Sequence, residues 1–259
     1  MYLFYLAYDY DKLVPNGNIG LMLCQHCLSA EEKLHISTYK HMKTALQQTL
    51  SFGLRRLVLA LLLQEDCYSN RLGIESLTEQ NIKIDRATLG LAASLSLKYA
   101  RRGKPYLDPL SALPKPQASL FFSVSHCDDF ICILIANDQE YLGVDAEAFK
   151  IVNYQTMLAV MHPCEQQKIQ NACDFLFYWT RKEAYLKALG TGLIDELAQI
   201  NTVGSQVIDE RTTAKRKLDA VDKPLYCHEV DLHPKLLIHV CHNNPRQQLQ
   251  LVNLHQLFA

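Results

Sequence analysis

The chain has 259 residues, a formal net charge of −1, and 49% hydrophobic and 20% charged residues. This length and composition predict a globular protein with a substantial core and exclude a disordered chain. The balanced charge argues against a general nucleic-acid-binding protein, so we expect no nucleic-acid partner.

The first 13 residues lack the basic region of a signal peptide. The strongest apolar run, Leu57 to Leu63, is too short to span a bilayer. We therefore expect a cytoplasmic protein that has no membrane partner and keeps its nine cysteines reduced. Cys24 and Cys27 form a CxxC pair, which fits either a zinc or redox site or two small buried side chains near the end of a strand.

Short strands and longer helices alternate along the predicted chain. A capping box formed by Ser29 and Glu32 predicts the start of a helix. A long helix follows from about Thr44 to Leu63, with Arg55 and Arg56 on its exposed side. Strands are predicted at residues 1–8, Ile19 to Cys24, Leu120 to His126, Phe130 to Ala136, Tyr141 to Glu147, Leu193 to Val203, Ser205 to Asp209, Leu225 to Leu232, Leu236 to His242 and Leu249 to Leu254.

A second long helix is predicted within Phe175 to Leu193. Gly190 suits a left-handed C-cap, so the helix is expected to end there. Glu183 and Lys187 are four residues apart and therefore share one face of this helix. Two shorter helical patterns precede it, at Phe149 to Met161 and Glu165 to Phe177.

Two acidic side chains alternate along the strand Tyr141 to Glu147. Asp145 and Glu147 are two residues apart, so both carboxylates point to the same face of the strand. Such a pair of hard oxygen donors suits Mg²⁺ when substrate phosphates and water complete its coordination. The alternative is the solvent-facing edge of an antiparallel strand.

Basic residues occur at two further places. Gly103-Lys104-Pro105 predicts a tight, extended turn that holds Lys104 on a rigid backbone, because Pro105 fixes its own φ and restricts the preceding residue. Lys40 and Lys43 form a small basic cluster with His41, which fits either an anion site or a solvated helix end.

Four short motifs occur in a fixed order along the chain. They are Gly103-Lys104-Pro105, Phe122-Ser123-Val124-Ser125-His126, Gly143-Val144-Asp145-Ala146-Glu147, and the run from Trp179 to Lys187, WTRKEAYLK. This combination resembles the 4′-phosphopantetheinyl transferase superfamily, and specifically its longer Sfp-type branch. The resemblance extends from about Leu28 to Leu193.

The resemblance implies an α+β fold made of a pseudo-twofold pair of similar halves with a cleft between them. The N-terminal half, residues 1–139, would bind coenzyme A, and the C-terminal half, residues 140–259, would carry the metal and the catalytic helix. Shorter relatives in this family build the cleft between subunits. A chain with both halves is therefore expected to be a monomer.

The resemblance also implies a reaction. The superfamily transfers the phosphopantetheine arm of coenzyme A to a serine of an acyl or peptidyl carrier protein and releases 3′,5′-ADP. By motif position, Asp145, Glu147 and Glu183 would ligate Mg²⁺, with Mn²⁺ as an alternative ion. Glu183 would be the general base, a metal ligand, or both, and Lys187 would stabilise the pyrophosphate.

The remaining basic and polar positions would bind coenzyme A. Lys182 would contact a phosphate of coenzyme A or the carrier protein. The other expected coenzyme A ligands are Lys40, Lys43, Lys104, Pro105, Ser125, His126 and Lys187.

Two features of the sequence depart from the family pattern. Ala146 replaces a bulkier residue between the two acids, and the helix near residues 43–52 lacks the arginines common in the family. Two other functions remain open: a non-catalytic module that binds coenzyme A or a carrier protein, and an unrelated Mg²⁺-dependent nucleotide hydrolase.

Overall fold

The computed structural model describes residues 1–13, 18–64, 84–108, 120–137, 141–213 and 223–258, apart from the side chains of residues 212 and 213. Within these ranges the chain mixes helices with several small sheets, so the predicted α+β class is confirmed. The pseudo-twofold relation between the halves stays a prediction. No helix in the described ranges is both long enough and apolar enough to cross a membrane.

The helices are α1 (Tyr10–Leu13), α2 (Ile19–Cys27), α3 (Ala30–Ser37), α4 (Met42–Leu63), α5 (Arg86–Ser94), α6 (Pro163–Gln166) and α7 (Ala172–Leu189). The strands are β1 (Tyr2–Ala7), β2 (Leu97–Tyr99), β3 (Pro105–Leu107), β4 (Phe121–Cys127), β5 (Phe130–Ala136), β6 (Leu142–Ala148), β7 (Ile200–Asn201), β8 (Ile208–Asp209), β9 (Tyr226–Glu229), β10 (Leu236–His242) and β11 (Gln250–Asn253). The 3₁₀ turns are Tyr154–Val160, Leu197–Gln199, Glu210–Thr213 and His255–Leu257.

Two sheets organise the molecule. The first has the order β11-β1-β5-β4, in which β11 runs parallel to β1 and the other pairs are antiparallel. The second is antiparallel with the order β6-β10-β9. The strand β11 comes from the end of the chain, so the C-terminal part contributes one strand to the first sheet.

The layers follow from the alternation of side chains along these strands. Phe4 and Ile133 face α2 and α4 on one side of the first sheet. Leu3 and Leu134 point to the other side and pack against the second sheet, where Val144 lies in the same cluster. Helix α7 covers the outer face of the second sheet. The order of layers is therefore helix, sheet, sheet, helix.

The strand predicted at Ile19 to Cys24 is wrong, because this segment begins the helix α2. The Asn18 side chain caps the helix by accepting a hydrogen bond from the Leu21 amide. Cys24 is fully buried and packs directly on Gly53 of α4, where an added Cβ would lie 2.4 Å from the Cys24 Cβ. Packing between helices decides the conformation here.

The CxxC pair lies on one face of α2. Cys24 and Cys27 are both buried, and their thiols are free in the structure. Burial raises the pKa of Cys27 to about 11, which keeps this thiol protonated and unreactive near neutral pH. Of the two alternatives for the CxxC pair, the structure corresponds to two small buried side chains, which lie on a helix and not near the end of a strand.

The predicted exposure of Arg55 and Arg56 is also wrong. Both side chains are buried and share the Glu32 carboxylate, at 2.8 Å from Arg55 Nη2 and 2.7 Å from Arg56 Nε. Arg56 also donates to the backbone carbonyls of Ala92 and Leu95. The two arginines therefore join α3, α4 and the end of α5. Burial is tolerated because the charges are paired and hydrogen-bonded.

The two sheets meet along what we call the serine seam, formed by the side chains of Ser123 and Ser125 and the backbone amides of Val144 and Ala146. The strands β4 and β6 are the adjacent edges of different sheets. The Val144 amide donates to Ser123 Oγ and the Ala146 amide to Ser125 Oγ, each at 3.1 Å. Buried serine hydroxyls here take the role that backbone carbonyls play within a sheet, and they align β6 with β4.

Gly143 sets the distance between β6 and α7. A Cβ at this position would lie 2.0 Å from the Ala184 carbonyl oxygen and 2.4 Å from the Ala188 amide nitrogen, which are both backbone atoms. We expect Gly143→Ala to lower the free energy of unfolding by about 3 kcal/mol, because the helix would have to move outward. Chemical denaturation measures this change.

Gly90→Ala is the matched control for that substitution. Gly90 lies in α5 with no atom within 4 Å of its added Cβ. Alanine should therefore raise the free energy of unfolding by about 0.5–1 kcal/mol. Equal stability of the two variants would contradict the close approach at Gly143.

Candidate active site

Helix α7 presents its acidic and basic side chains beside strand β6. It begins at Asn171, whose side chain accepts hydrogen bonds from the Cys173 and Asp174 amides. It ends at Gly190 with φ 69°, which confirms the predicted left-handed cap. The close contact at Gly143 brings this helix against the strand that carries Asp145.

Asp145 is the most constrained acid of the site. It is 6% exposed, and its Oδ1 accepts hydrogen bonds from Lys187 Nζ at 2.7 Å and Ser125 Oγ at 3.0 Å. Its Oδ2 is buried and has no hydrogen-bond partner among the described residues. Burial raises the pKa of Asp145, although Lys187 and Ser125 act in the opposite direction. One carboxylate oxygen is therefore satisfied and the other is not.

Glu183 lies beside this acid on α7. No hydrogen bond or ion pair reaches its carboxylate from the rest of the described chain. Burial, followed by the charge of Asp145, raises the pKa of Glu183 to about 7, and the nearby Lys187 lowers it only in part. A carboxyl group with this pKa exchanges a proton readily near neutral pH.

Glu147 is the third predicted metal ligand. It follows Asp145 on the same face of β6, and its Oε2 pairs with Lys150 Nζ at 2.8 Å near the surface. No three His, Cys, Asp or Glu side chains in the described ranges are close enough together to hold one metal ion. Asp145 and Glu147 instead have separate lysine partners, Lys187 and Lys150. The structure thus places the three acids in one region without a preformed three-carboxylate site.

A cleft of about 210 Å³ opens where α7 meets the turn before β3. It receives Glu183 and Lys187 from the helix and Lys104 and Pro105 from the Gly-Lys-Pro turn. Four predicted site residues therefore meet around one space. The lining residues are Arg102, Gly103, Lys104, Pro105, Ser123, Val124, Glu183, Leu186, Lys187, Gly190 and Gly192.

Lys104 joins the cleft to the end of α7. Its Nζ donates to the backbone carbonyls of Ala188 at 2.8 Å and Leu142 at 3.2 Å. A cation at this position also interacts favourably with the C-terminal end of the helix dipole. Lys104 and Pro105 line a neighbouring cavity of about 240 Å³ as well, which Tyr106 and other aromatic residues help to form.

His126 and the two N-terminal lysines lie along the start of α4. His126 Nε2 is 3.3 Å from Gln48 Nε2, and burial, together with the charge of Lys187, lowers the pKa of this histidine. Lys43 Nζ forms an exposed ion pair with Asp129 at 2.8 Å, and Lys40 is exposed in the turn before the helix. These three predicted coenzyme A ligands do not line the cleft.

Lys182 does not lie in the cleft. Its side chain is fully buried and its Nζ is 2.9 Å from Glu165 Oε2. The same ammonium group donates to the Leu197 carbonyl at 3.0 Å and to the Ile200 carbonyl. With its donors used inside the protein, Lys182 is not available to coenzyme A or to a carrier protein. The prediction for this residue is therefore corrected to a structural role.

Three residues that hold the elements around the site in place were not predicted from the sequence. Ser123 belongs to one of the four motifs, in which it alternates with Ser125, and this alternation is the signal in the sequence for the seam. Glu165 lies 17 residues before Lys182 in the chain, so no local spacing connects them. Gly143 belongs to a recognised motif, but its contact with α7 depends on the tertiary structure.

Residues 141–241 match the family model described as the 4′-phosphopantetheinyl transferase superfamily. The predicted resemblance to this superfamily and its Sfp-type branch is confirmed. The matched region contains β6, α7, and all three acids of the site.

Three relatives illustrate the similarity. The chain is 30% identical over 97 residues to the 4′-phosphopantetheinyl transferase gsp of Aneurinibacillus migulanus, covering 35% of this chain and 36% of the relative. It is 32% identical over 103 residues to the 4′-phosphopantetheinyl transferase HetI of a Nostoc species, covering 37% of this chain and 41% of the relative. It is 25% identical over 166 residues to the L-aminoadipate-semialdehyde dehydrogenase-phosphopantetheinyl transferase of Schizosaccharomyces pombe, covering 56% and 62%. The chain thus spans between 36% and 62% of the length of these relatives.

The superfamily resemblance implies a divalent cation, and two observations show that the residues fit one. Asp145 Oδ2 is buried without a partner among the described residues, and the Glu183 carboxyl has a pKa raised by burial and by a neighbouring negative charge. A hard cation would give Asp145 Oδ2 a partner, and its positive charge would lower the pKa of Glu183. Mg²⁺ needs only one or two protein carboxylates when phosphates and water supply the other ligands.

The raised pKa of Glu183 predicts how stability depends on pH. The folded protein binds this proton more tightly than the unfolded chain, so the free energy of unfolding falls as the pH rises from about 4.5 to about 7. We expect Glu183→Gln to be more stable than the wild type at pH 8 by about 1–2 kcal/mol, after allowance for partial solvent exposure, and equally stable at pH 4.

Magnesium separates this electrostatic effect from a packing effect. If Glu183 is a ligand, as the resemblance implies, adding Mg²⁺ at pH 8 should raise the melting temperature of the wild type and raise that of Glu183→Gln less. Thermal melts at two pH values, with and without Mg²⁺, measure both effects. A Glu183→Gln variant less stable than the wild type at pH 8 would contradict the raised pKa of this carboxyl group.

Proposed function

We propose that this protein transfers the 4′-phosphopantetheine group from coenzyme A to a serine of an acyl or peptidyl carrier protein and releases 3′,5′-ADP. The observation that supports the proposal best is that Glu183, Lys187 and Lys104 line one cleft. Lys187 also donates a hydrogen bond to Asp145 Oδ1 at 2.7 Å. This site lies largely within the region that matches the superfamily.

Asp145 and Glu183 are the residues that would hold Mg²⁺, or Mn²⁺ in its place, and Glu147 is the third candidate ligand. When bound, the ion would neutralise the negative charge of the pyrophosphate and act as a Lewis acid. Glu147 would take part after releasing Lys150, its partner in the structure.

Glu183 is suited to accept the proton of the incoming serine. In this proposal the serine oxygen forms a bond to the phosphorus next to the pantetheine arm, while the bond from that phosphorus to the bridging oxygen breaks. The serine proton passes to Glu183, and the electron pair of the broken bond leaves on 3′,5′-ADP. A base with a pKa of about 7 is well matched to this task at neutral pH.

Lys187 would stabilise the charge that develops on the phosphates. Two of its three ammonium hydrogens are directed to Asp145 and Ser125, so one remains for the cleft that this side chain lines. Charge stabilisation of this kind is usually a large part of enzymatic acceleration.

The N-terminal half, residues 1–139, would supply most of the coenzyme A contacts. Lys104 and Pro105 line the cleft and are the first candidates. His126, Lys40 and Lys43 would reach coenzyme A only at the rim, along α4 and the end of β4. The C-terminal half, residues 140–259, would carry the metal and the base. We propose a cytoplasmic monomer whose partners are coenzyme A and carrier proteins, with neither nucleic acid nor membrane among them.

The test is an incubation of the protein with coenzyme A, Mg²⁺ and several apo carrier proteins, followed by mass spectrometry of each carrier. A gain of one phosphopantetheine group on the carrier serine is the expected result. Coenzyme A binding with no gain on any carrier would instead indicate the non-catalytic module. Cleavage of coenzyme A without a carrier would indicate a hydrolase.

A further inference from the structure

We propose that Ser125 is a positioning residue for Asp145 and Lys187 and does not bind coenzyme A. The inference rests on the proposed function, because it assigns a role within that active site. It starts from the position of Ser125 at the serine seam, where the side chain is 4% exposed.

The hydrogen-bonding capacity of the Ser125 hydroxyl is fully used inside the protein. A serine hydroxyl has one hydrogen to donate and two lone pairs to accept. Ser125 Oγ donates to Asp145 Oδ1 at 3.0 Å, and it accepts from the Ala146 amide at 3.1 Å and from Lys187 Nζ at 2.9 Å. A phosphate of coenzyme A needs a donor, and this hydroxyl could provide one only by releasing Asp145.

The same three bonds connect the strand, the helix and the acid. Ser125 and Lys187 both direct their hydrogens to Asp145 Oδ1. This fixes the orientation of the carboxylate and leaves Oδ2 as the oxygen without a protein partner among the described residues. The Ala146 bond fixes the backbone next to Asp145 relative to β4. Ser125 therefore selects which oxygen of Asp145 is left for a cation.

Ser123 provides a matched comparison on the same strand. It is also 4% exposed, and its hydroxyl accepts a hydrogen bond from the β6 backbone at the same distance, 3.1 Å. None of its hydrogen bonds in the described structure involves Asp145 or Lys187. Ser123→Ala and Ser125→Ala thus remove equivalent bonds of the seam, and Ser125→Ala alone also removes a hydrogen bond to Asp145 and one to Lys187.

The experiment compares these two variants with the wild type in three measurements. Thermal melts during an Mn²⁺ titration give the half-saturating Mn²⁺ concentration. Calorimetry gives the Kd of coenzyme A, and carrier modification gives kcat. For Ser125→Ala we expect the half-saturating Mn²⁺ concentration to rise and kcat to fall, each by about tenfold, because residues that orient metal ligands affect metal affinity this strongly. Its Kd for coenzyme A should stay within about twofold of the wild type, since no coenzyme A contact is removed.

The outcomes separate this inference from the proposed function. A tenfold weaker coenzyme A affinity of Ser125→Ala at unchanged Mn²⁺ response would overturn the inference and restore Ser125 as a ligand. An equal loss of Mn²⁺ affinity in Ser123→Ala would overturn it too, because a general effect of the seam would then explain both. If the wild type modifies no carrier while the Mn²⁺ difference between the variants persists, the proposed function fails and the positioning role stands.

Discussion

Glu183→Gln is expected to lower kcat for carrier modification by about 10²- to 10⁴-fold, the usual contribution of a general base. Glutamine keeps the size of the side chain but cannot accept the serine proton. The fold should persist, because the substitution removes a carboxylate that has no hydrogen bond or ion pair in the described structure. Glu31→Gln is the control, since Glu31 is exposed in the first turn of α3 and does not line the cleft.

The pH dependence of kcat distinguishes a base from a residue that only binds metal. A base must be deprotonated, so the wild-type rate should rise with pH up to about 7, the pKa of Glu183, or to a lower pH if a bound cation favours the carboxylate. The residual activity of Glu183→Gln should lack this rise. A variant with near-normal kcat would remove Glu183 from the base role.

Lys182→Met is expected to lower the free energy of unfolding by about 3–5 kcal/mol, because it leaves the Glu165 carboxylate buried without its cation. The Glu165 side chain is fully buried and also accepts hydrogen bonds from the Thr202 amide and hydroxyl and from the His162 amide. These partners hold the carboxylate in place and prevent it from reaching water. Urea denaturation measures the loss.

Two comparisons make the Lys182 result specific. Lys12→Met, at an exposed ion pair with Asp9, should change stability by no more than about 1 kcal/mol. Adding Glu165→Gln to Lys182→Met should restore part of the stability, because the unpaired charge is then removed. If Lys182→Met were as stable as the wild type and raised the KM for coenzyme A, the original prediction of a coenzyme A ligand would be right after all.

Features that depend on neighbouring residues could be predicted from the sequence. The capping box of Ser29 and Glu32 is confirmed in both of its hydrogen bonds, and the Gly190 cap has the expected positive φ. The strands β4, β5 and β6 begin and end within one residue of the prediction. Short-range geometry determines each of these, so the pattern of residue types was sufficient.

Features that depend on distant partners could not be predicted. Arg55 is buried because Glu32, 23 residues earlier, accepts its charge, and Lys182 is buried because of Glu165. A charged residue on a helix normally lies in water, and only the tertiary structure shows the exception. In the site, the meeting of Lys104 with Glu183 and Lys187 followed from the family resemblance and not from spacing along the chain.

The serine seam also has a consequence for solubility. The strands β4 and β6 are both edges, and an open edge with unpaired amides can pair with a strand of another molecule and start aggregation. Because Ser123 and Ser125 occupy the Val144 and Ala146 amides, each edge covers the other without forming a continuous sheet. The two serines that align β6 with β4 therefore also protect these strand edges from aggregation.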